Sequence, residues 1–183
     1  MSEEQLIKEI QSDPHRFEEL YNLHFDAIFN YCYRRTSDFD ASKDLASETF
    51  LKAYVNIGRF RWRGIPVLSW LYRIATNEIN LFYRSRKYKP ALLNNTYGEH
   101  SIYPDLEHLA EEKESAQVEL EKHEQFVRIQ KTLKTLPIKY QEVISLKYFE
   151  QLKIKEICLI LNKKEGTVKS LLSRGISQLK KRI

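Results

Sequence analysis

Asp44-Leu45-Ala46-Ser47-Glu48-Thr49-Phe50-Leu51-Lys52-Ala53 is followed by a short basic and aromatic loop, then by Trp70-Leu71-Tyr72-Arg73-Ile74-Ala75-Thr76-Asn77 and on to Tyr83-Arg84-Ser85-Arg86. The pattern is two helices and a loop. The first helix repeats Ala41, Leu45, Phe50 (with Leu51) and Tyr54 as an apolar stripe, while Asp44, Glu48 and Lys52 share another face. A solvated face with one Glu–Lys pair would show the same spacing. Gly58 can end the helix. Arg59-Phe60-Arg61-Trp62-Arg63 then alternates three arginines with two aromatics, fenced by Gly58, Gly64 and Pro66 into a loop. Arginines among aromatics suit phosphate contact and base stacking. A surface loop whose aromatics fold back onto the core fits equally. Pro66 opens the second helix, through Trp70, Leu71, Ile74, Ala75, Ile79 and Phe82. Arg73, Asn77, Asn80 and Arg84 form a separate polar stripe without a carboxylate, and Arg84, Arg86, Lys87 and Lys89 make the helix end basic.

Towards the N-terminus, Ser2 is placed to cap a helix over Glu3 to Ile10, with Leu6, Ile7 and Ile10 on one side. Asp13-Pro14 restarts the chain as an N-cap and first helical residue. Phe17, Leu20, Tyr21, Phe25, Ile28, Phe29 and Cys32 recur at helical spacing to about Thr36 and are expected in the core. Asp38 or Asp40 caps the following helix, which runs to about Ile57.

The 183 residues suit one ordinary domain or two small ones, and only five glycines and five prolines favour helices over a turn-rich strand fold. A net charge of +5 permits nucleic-acid binding only if the charge clusters. Cys32 and Cys158 are the only cysteines and form no C-x-x-C pair, so two buried, reduced thiols are expected and no zinc site. No apolar run approaches the roughly 20 residues of a membrane span, and the acidic start is unlike a signal peptide. The expectation is a soluble, cytoplasmic protein. The histidines are scattered and no phosphate-binding glycine loop stands out, so neither catalytic residues nor a metal, cofactor or small-molecule substrate is expected.

From about Lys89 to Pro104 periodicity is lost, and an acidic stretch rich in glutamate follows, which would repel nucleic acid. Helices are expected over Glu119 to Thr135 (Phe126, Ile129 and Leu133 inside), from Leu136-Pro137 through Tyr140, Val143, Ile144 and Tyr148, over Ile154 to Leu161, and from Glu165 to about Arg182. The last two, joined by Asn162-Lys163-Lys164, have helix-turn-helix spacing. Val168, Leu171, Leu172, Ile176 and Leu179 face inward, leaving Thr167, Lys169, Ser170, Ser173 and Arg174 outside. Small hydroxyls with Lys and Arg suit a helix in the major groove. Lys163 to Ile183 holds seven basic residues against one acid, Glu165. An αα-hairpin with a basic tail is the plainer alternative.

Asp44 to Ala53, Trp70 to Asn77 with Arg84, Leu136-Pro137, Glu156-Ile157, Gly166-Thr167-Val168-Lys169-Ser170 and Ser173-Arg174 together resemble the bacterial extracytoplasmic-function (ECF) RNA polymerase sigma factors. The resemblance covers about Phe17 to Lys87 and Leu133 to Lys181. It implies an all-α chain of two small helical domains joined by a linker: residues 1–89 as sigma region 2, 90–115 as an acidic linker threading near the polymerase channels, and 116–183 as sigma region 4 with the helix-turn-helix. It implies that Asp44, Glu48, Phe50 and Leu51 dock on the β′ clamp helices of core RNA polymerase. Arg59, Arg61, Trp62, Arg63, Arg73, Asn77, Asn80 and Arg84 would receive the −10 element with a flipped base. Lys164, Thr167, Lys169, Ser170, Ser173 and Arg174 would read the −35 duplex. The implied partners are core polymerase (β′ clamp helices and β flap), promoter DNA and an anti-sigma protein, soluble or membrane-anchored. The competing readings are a helix-turn-helix regulator that works without polymerase, and an interaction module that sequesters polymerase or another factor without reading DNA.

Overall fold

The computed structural model describes residues 2–62, 64–88 and 128–183, and every regular element among them is helical. α1 is Glu3–Ser12, α2 Phe17–Thr36, α3 Phe39–Asn56 and α4 Val67–Tyr88. α5 covers residues 128–134, α6 Ile138–Ile144, α7 Ile154–Leu161 and α8 Glu165–Lys180. The expected linker over 90–115, Phe126 and Arg63 lie outside the described residues.

The N-terminal unit, α1 to α4, follows from its caps and its apolar faces. Ser2 Oγ accepts the Gln5 N–H at 3.2 Å and Gln5 returns the bond to the Ser2 N–H at 3.0 Å. This capping box satisfies two donors that α1 would leave orphaned. Asp13 takes the His15 N–H at 3.1 Å, and Pro14 opens a single 3-10 turn, Pro14–Arg16, rather than α2 itself. Asp38, not Asp40, caps α3, accepting from Ala41 N–H at 3.0 Å. Leu20, Ile28, Leu71 and Ile79 are fully buried at the centre, each contributing roughly 1.5–3 kcal/mol.

The aromatic face of α2 is not uniformly core. Phe17, Leu20, Ile28 and Cys32 are buried, but Tyr21 is 36% exposed and Phe25 and Phe29 only lie against the core. Tyr21, Phe25, Phe29 and Tyr33, spaced by four, stand ring against ring along the helix. An aromatic stripe wider than the buried strip leaves its outer edge wet, where ring-on-ring contact replaces core packing. Burial pushes the Cys32 thiol up to about 12, so it stays protonated. Cys158 is only half-buried, so the expectation of two buried thiols holds for one.

In the C-terminal unit α6 and α7 pack on α8 around Tyr140, Val143, Ile144, Leu146, Ile157, Ile160, Val168 and Leu172. After Ile144 the helix widens into a π turn, Ser145–Phe149, with the Glu150 N–H reaching back to the Ser145 carbonyl at 3.1 Å. The extra residue in that turn rotates Tyr148 outward, to 55% exposure, against the inward place its spacing predicts. Gln151 is then held at φ 53°, which non-glycine residues seldom adopt. The two units touch where α4 meets α7 and where α2 meets the π turn.

Candidate polymerase and nucleic-acid interfaces

On α3, Asp44 is exposed, Glu48 half-buried and Leu51 57% exposed. Phe50 differs: it is 3% exposed, its ring 4.9 Å from Tyr21 and 6.1 Å from Phe25. Phe50 therefore supports the α3 surface from beneath and does not offer its side chain to a partner. Neighbours in a helix lie about 100° apart, so only one of Phe50 and Leu51 can face inward. Lys52 does not simply pair along the helix. Its ammonium donates to Glu78 of α4 at 2.5 Å and stands 3.3 Å from Glu48, and the Glu78 bond is the main cause of its raised pKa.

The loop after α3 combines both readings of its sequence. Arg59 and Arg61 are exposed, while Phe60 and Trp62 are half-buried against the core. Phe60 pairs with Trp70 of α4, ring centroids 4.6 Å apart. Beneath them lies a cavity of about 430 Å³, lined by Asn56, Arg59, Phe60, Arg61, Ile65, Pro66, Ser69, Trp70, Arg73 and, from the other unit, Leu159 and Ile160. Its volume falls in the range of small-molecule sites. Ser69 is buried and its hydroxyl has no partner among the described residues. Gln11 fixes the base of the loop: its Nε2 donates to the carbonyls of Ile57 and Phe60, each at 2.9 Å. Glu3 adds a carboxylate at the N-terminus of α4, accepting from Val67 N–H at 3.3 Å, where a negative charge is favoured.

Along α4, Arg73, Asn77 and Arg84 are exposed. Asn80 lies at the inner edge of the same stripe, half-buried, and donates through Nδ2 to Glu142 of α6 at 2.7 Å.

The turn between α7 and α8 is closed by Asn162 at φ 51°, with the Lys163 N–H donating to the Cys158 carbonyl at 2.9 Å. Asparagine tolerates this left-handed conformation nearly as glycine does, which explains a helix-turn-helix without a glycine in its turn. Val168, Leu172 and Gly175 face inward. Lys164, Thr167, Lys169, Ser173 and Arg174 are exposed and Ser170 half-buried, so the outer face holds together as its spacing predicts. Lys169 forms a 2.5 Å ion pair with Glu165; that bond raises the lysine pKa and lowers the glutamate's.

Sequence reasoning missed Gln11, Asn56, Ser69 and the cavity-facing role of Trp70. Trp70 carries a partial signal, an aromatic at the edge between the apolar and polar stripes of α4. Gln11 carries none, because its partners lie 46 and 49 residues away.

Residues 20–88 match Sigma-70 region 2, and residues 126–179 match Sigma-70, region 4. The chain is similar to the ECF RNA polymerase sigma factor SigW of Bacillus subtilis (strain 168), 36% identical over 97% of this chain and 94% of that one. It is 31% identical to RNA polymerase sigma factor YlaC of the same strain, over 90% of each chain. Among solved structures, the sigma factor RpoE, in complex with the anti-sigma factor NepR from Bartonella quintana, aligns with a TM-score of 0.65 at 20% identity. That alignment covers 90% of this chain and 94% of RpoE, a likeness of fold. With a helical region 2 unit, a helix-turn-helix region 4 unit and near full-length kinship to SigW, the chain belongs to the ECF RNA polymerase sigma factors, which direct promoter-specific transcription initiation.

Proposed function

We propose that this sigma factor divides its work among three surfaces. Asp44, Glu48 and Leu51, supported by Phe50, dock on the β′ clamp helices of core polymerase. Arg59, Arg61, Trp62, Arg63, Arg73, Asn77, Asn80 and Arg84 receive the unpaired −10 strand, and one flipped base enters the cavity beside Phe60 and Trp70. Lys164, Thr167, Lys169, Ser170, Ser173 and Arg174 read the −35 duplex while that unit rests on the β flap. The factor acts by binding alone, in the cytoplasm where polymerase works. Stacking and phosphate contacts offset the unstacking of a base, about a few kcal/mol. By likeness to RpoE with NepR, an anti-sigma protein is a further partner.

The observation that carries this reading over a stand-alone regulator is the cavity, where arginines and a close aromatic pair surround a buried hydroxyl that has no partner among the described residues. The test is reconstitution with core polymerase followed by promoter selection from a genomic library. The expected result is core binding and initiation from promoters that share −35 and −10 sequences. Leu51→Asp should abolish core binding, and Lys169→Glu with Arg174→Glu should abolish promoter choice while core binding persists. Operator binding that needs no polymerase, with no initiation, would overturn the reading.

A further inference from the structure

Between Leu71 and Ser85 only five residues of α4 are exposed: Arg73, Asn77, Leu81, Arg84 and Ser85. Their spacing puts them in a single narrow row along the helix. The row differs at one level from the stripe that spacing alone predicts. Asn80 stands beside it with its amide bonded to Glu142, and Leu81 takes its place. The rotation of the helix is fixed from beneath. Leu71, Ala75 and Ile79 are fully buried, and the Tyr31 hydroxyl meets Thr76 Oγ1 at 2.9 Å. Glu78, the only acid in this length of helix, is buried and accepts from Lys52.

Leu81 is thus the one apolar side chain, 50% exposed, in a row of guanidinium, amide and hydroxyl groups. A leucine exposed by itself is ordinary on a protein surface; the company of this one is not. A face that docks on protein groups its apolar residues, as α3 groups Leu51, Tyr54 and Val55. Leu81 instead has Asn77 one turn before it and Arg84 one turn after, groups that bind phosphate and sugar. We propose that Leu81 is a wedge: Arg73, Asn77 and Arg84 hold the backbone of the −10 strand, and the leucine enters one base step and keeps its two bases unstacked. The inference rests on α4 being the path of the unpaired strand. Apolar side chains that enter a base step offset the cost of separating the bases, and a helix locked by its core presents the side chain already in place. Having neither donor nor acceptor, leucine selects a step by how easily it unstacks, pyrimidine–purine steps first.

Holoenzyme is assembled from core polymerase and the full chain, then mixed with a selected promoter carrying 2-aminopurine, which brightens when unstacked, at one −10 position at a time. Wild type should brighten at the base taken into the cavity and at a second position, that of the entered step. Leu81→Gln keeps the length and the helix propensity but not the apolar surface. It should lose the second signal and open the promoter about tenfold more slowly, because part of the unstacking cost is no longer offset. Leu81→Met should keep both. Arg73→Ala and Asn77→Ala should weaken strand binding and leave the second signal in place. A Leu81→Gln holoenzyme that keeps the second signal overturns the wedge, and leaves the α4 path standing as long as Arg73→Ala and Asn77→Ala weaken strand binding. If those two also change nothing, the path falls with it.

Discussion

Around Gly175 there is less room than a methyl group needs. A Cβ there would stand 3.0 Å from Ile144 Cδ1 and 3.2 Å from Tyr140 Cβ, so α8 approaches α6 through this residue. Gly175→Val should destabilise the protein by about 2 kcal/mol, because overpacking outweighs the small gain over glycine in a helix; the urea midpoint reads it. His24, buried in α2 with Nε2 unpartnered among the described residues, has its pKa lowered, chiefly by burial. Below the ordinary histidine value of about 6.5 the unfolded chain takes up a proton that the fold refuses. Stability should therefore fall as pH drops from about 7 through the lowered value and level off beneath it. Melting curves between those limits would show it, and His24→Gln should remove that part of the slope.

At the level of elements, the loop between α3 and α4 depends on a helix far from it in sequence. Gln11→Ala removes both side-chain bonds to the Ile57 and Phe60 carbonyls. It should weaken single-strand binding several-fold while leaving duplex −35 binding and helical content unchanged; circular dichroism and two anisotropy titrations separate these. The helices themselves were legible because their signals are local: Ser2, Asp38 and Pro66 mark starts, and Leu45, Leu71 and Val168 fall on apolar periods. Which of Phe50 and Leu51 turns inward was not legible, since adjacent apolar residues both satisfy the period. Nor was the π turn, whose residues carry no turn signature and which alone displaces Tyr148.

For the whole molecule, the basic helix-turn-helix surface makes duplex binding a salt-dependent equilibrium. Replacing Arg174 with alanine should reduce the slope of log K against log salt by about 1, the signature of one lost phosphate contact. Lys169→Ala should reduce it less, because Glu165 already neutralises that ammonium. The division into units showed in the sequence as a change of composition, but their docking did not. Glu142 and Glu150 lie 62 and 116 residues from Asn80 and Arg34, and an acidic residue in a surface helix looks the same whether it meets water or a distant arginine. The placement of the two tryptophans also bears on measurement. Trp62 belongs to the loop, and Trp70 lines the cavity that Leu159 and Ile160 border. Tryptophan emission, excited apart from the tyrosines, is thus a native optical reporter of this one region. A base stacking there should quench it, withdrawal of α7 should shift it to the red, and neither observation needs a dye.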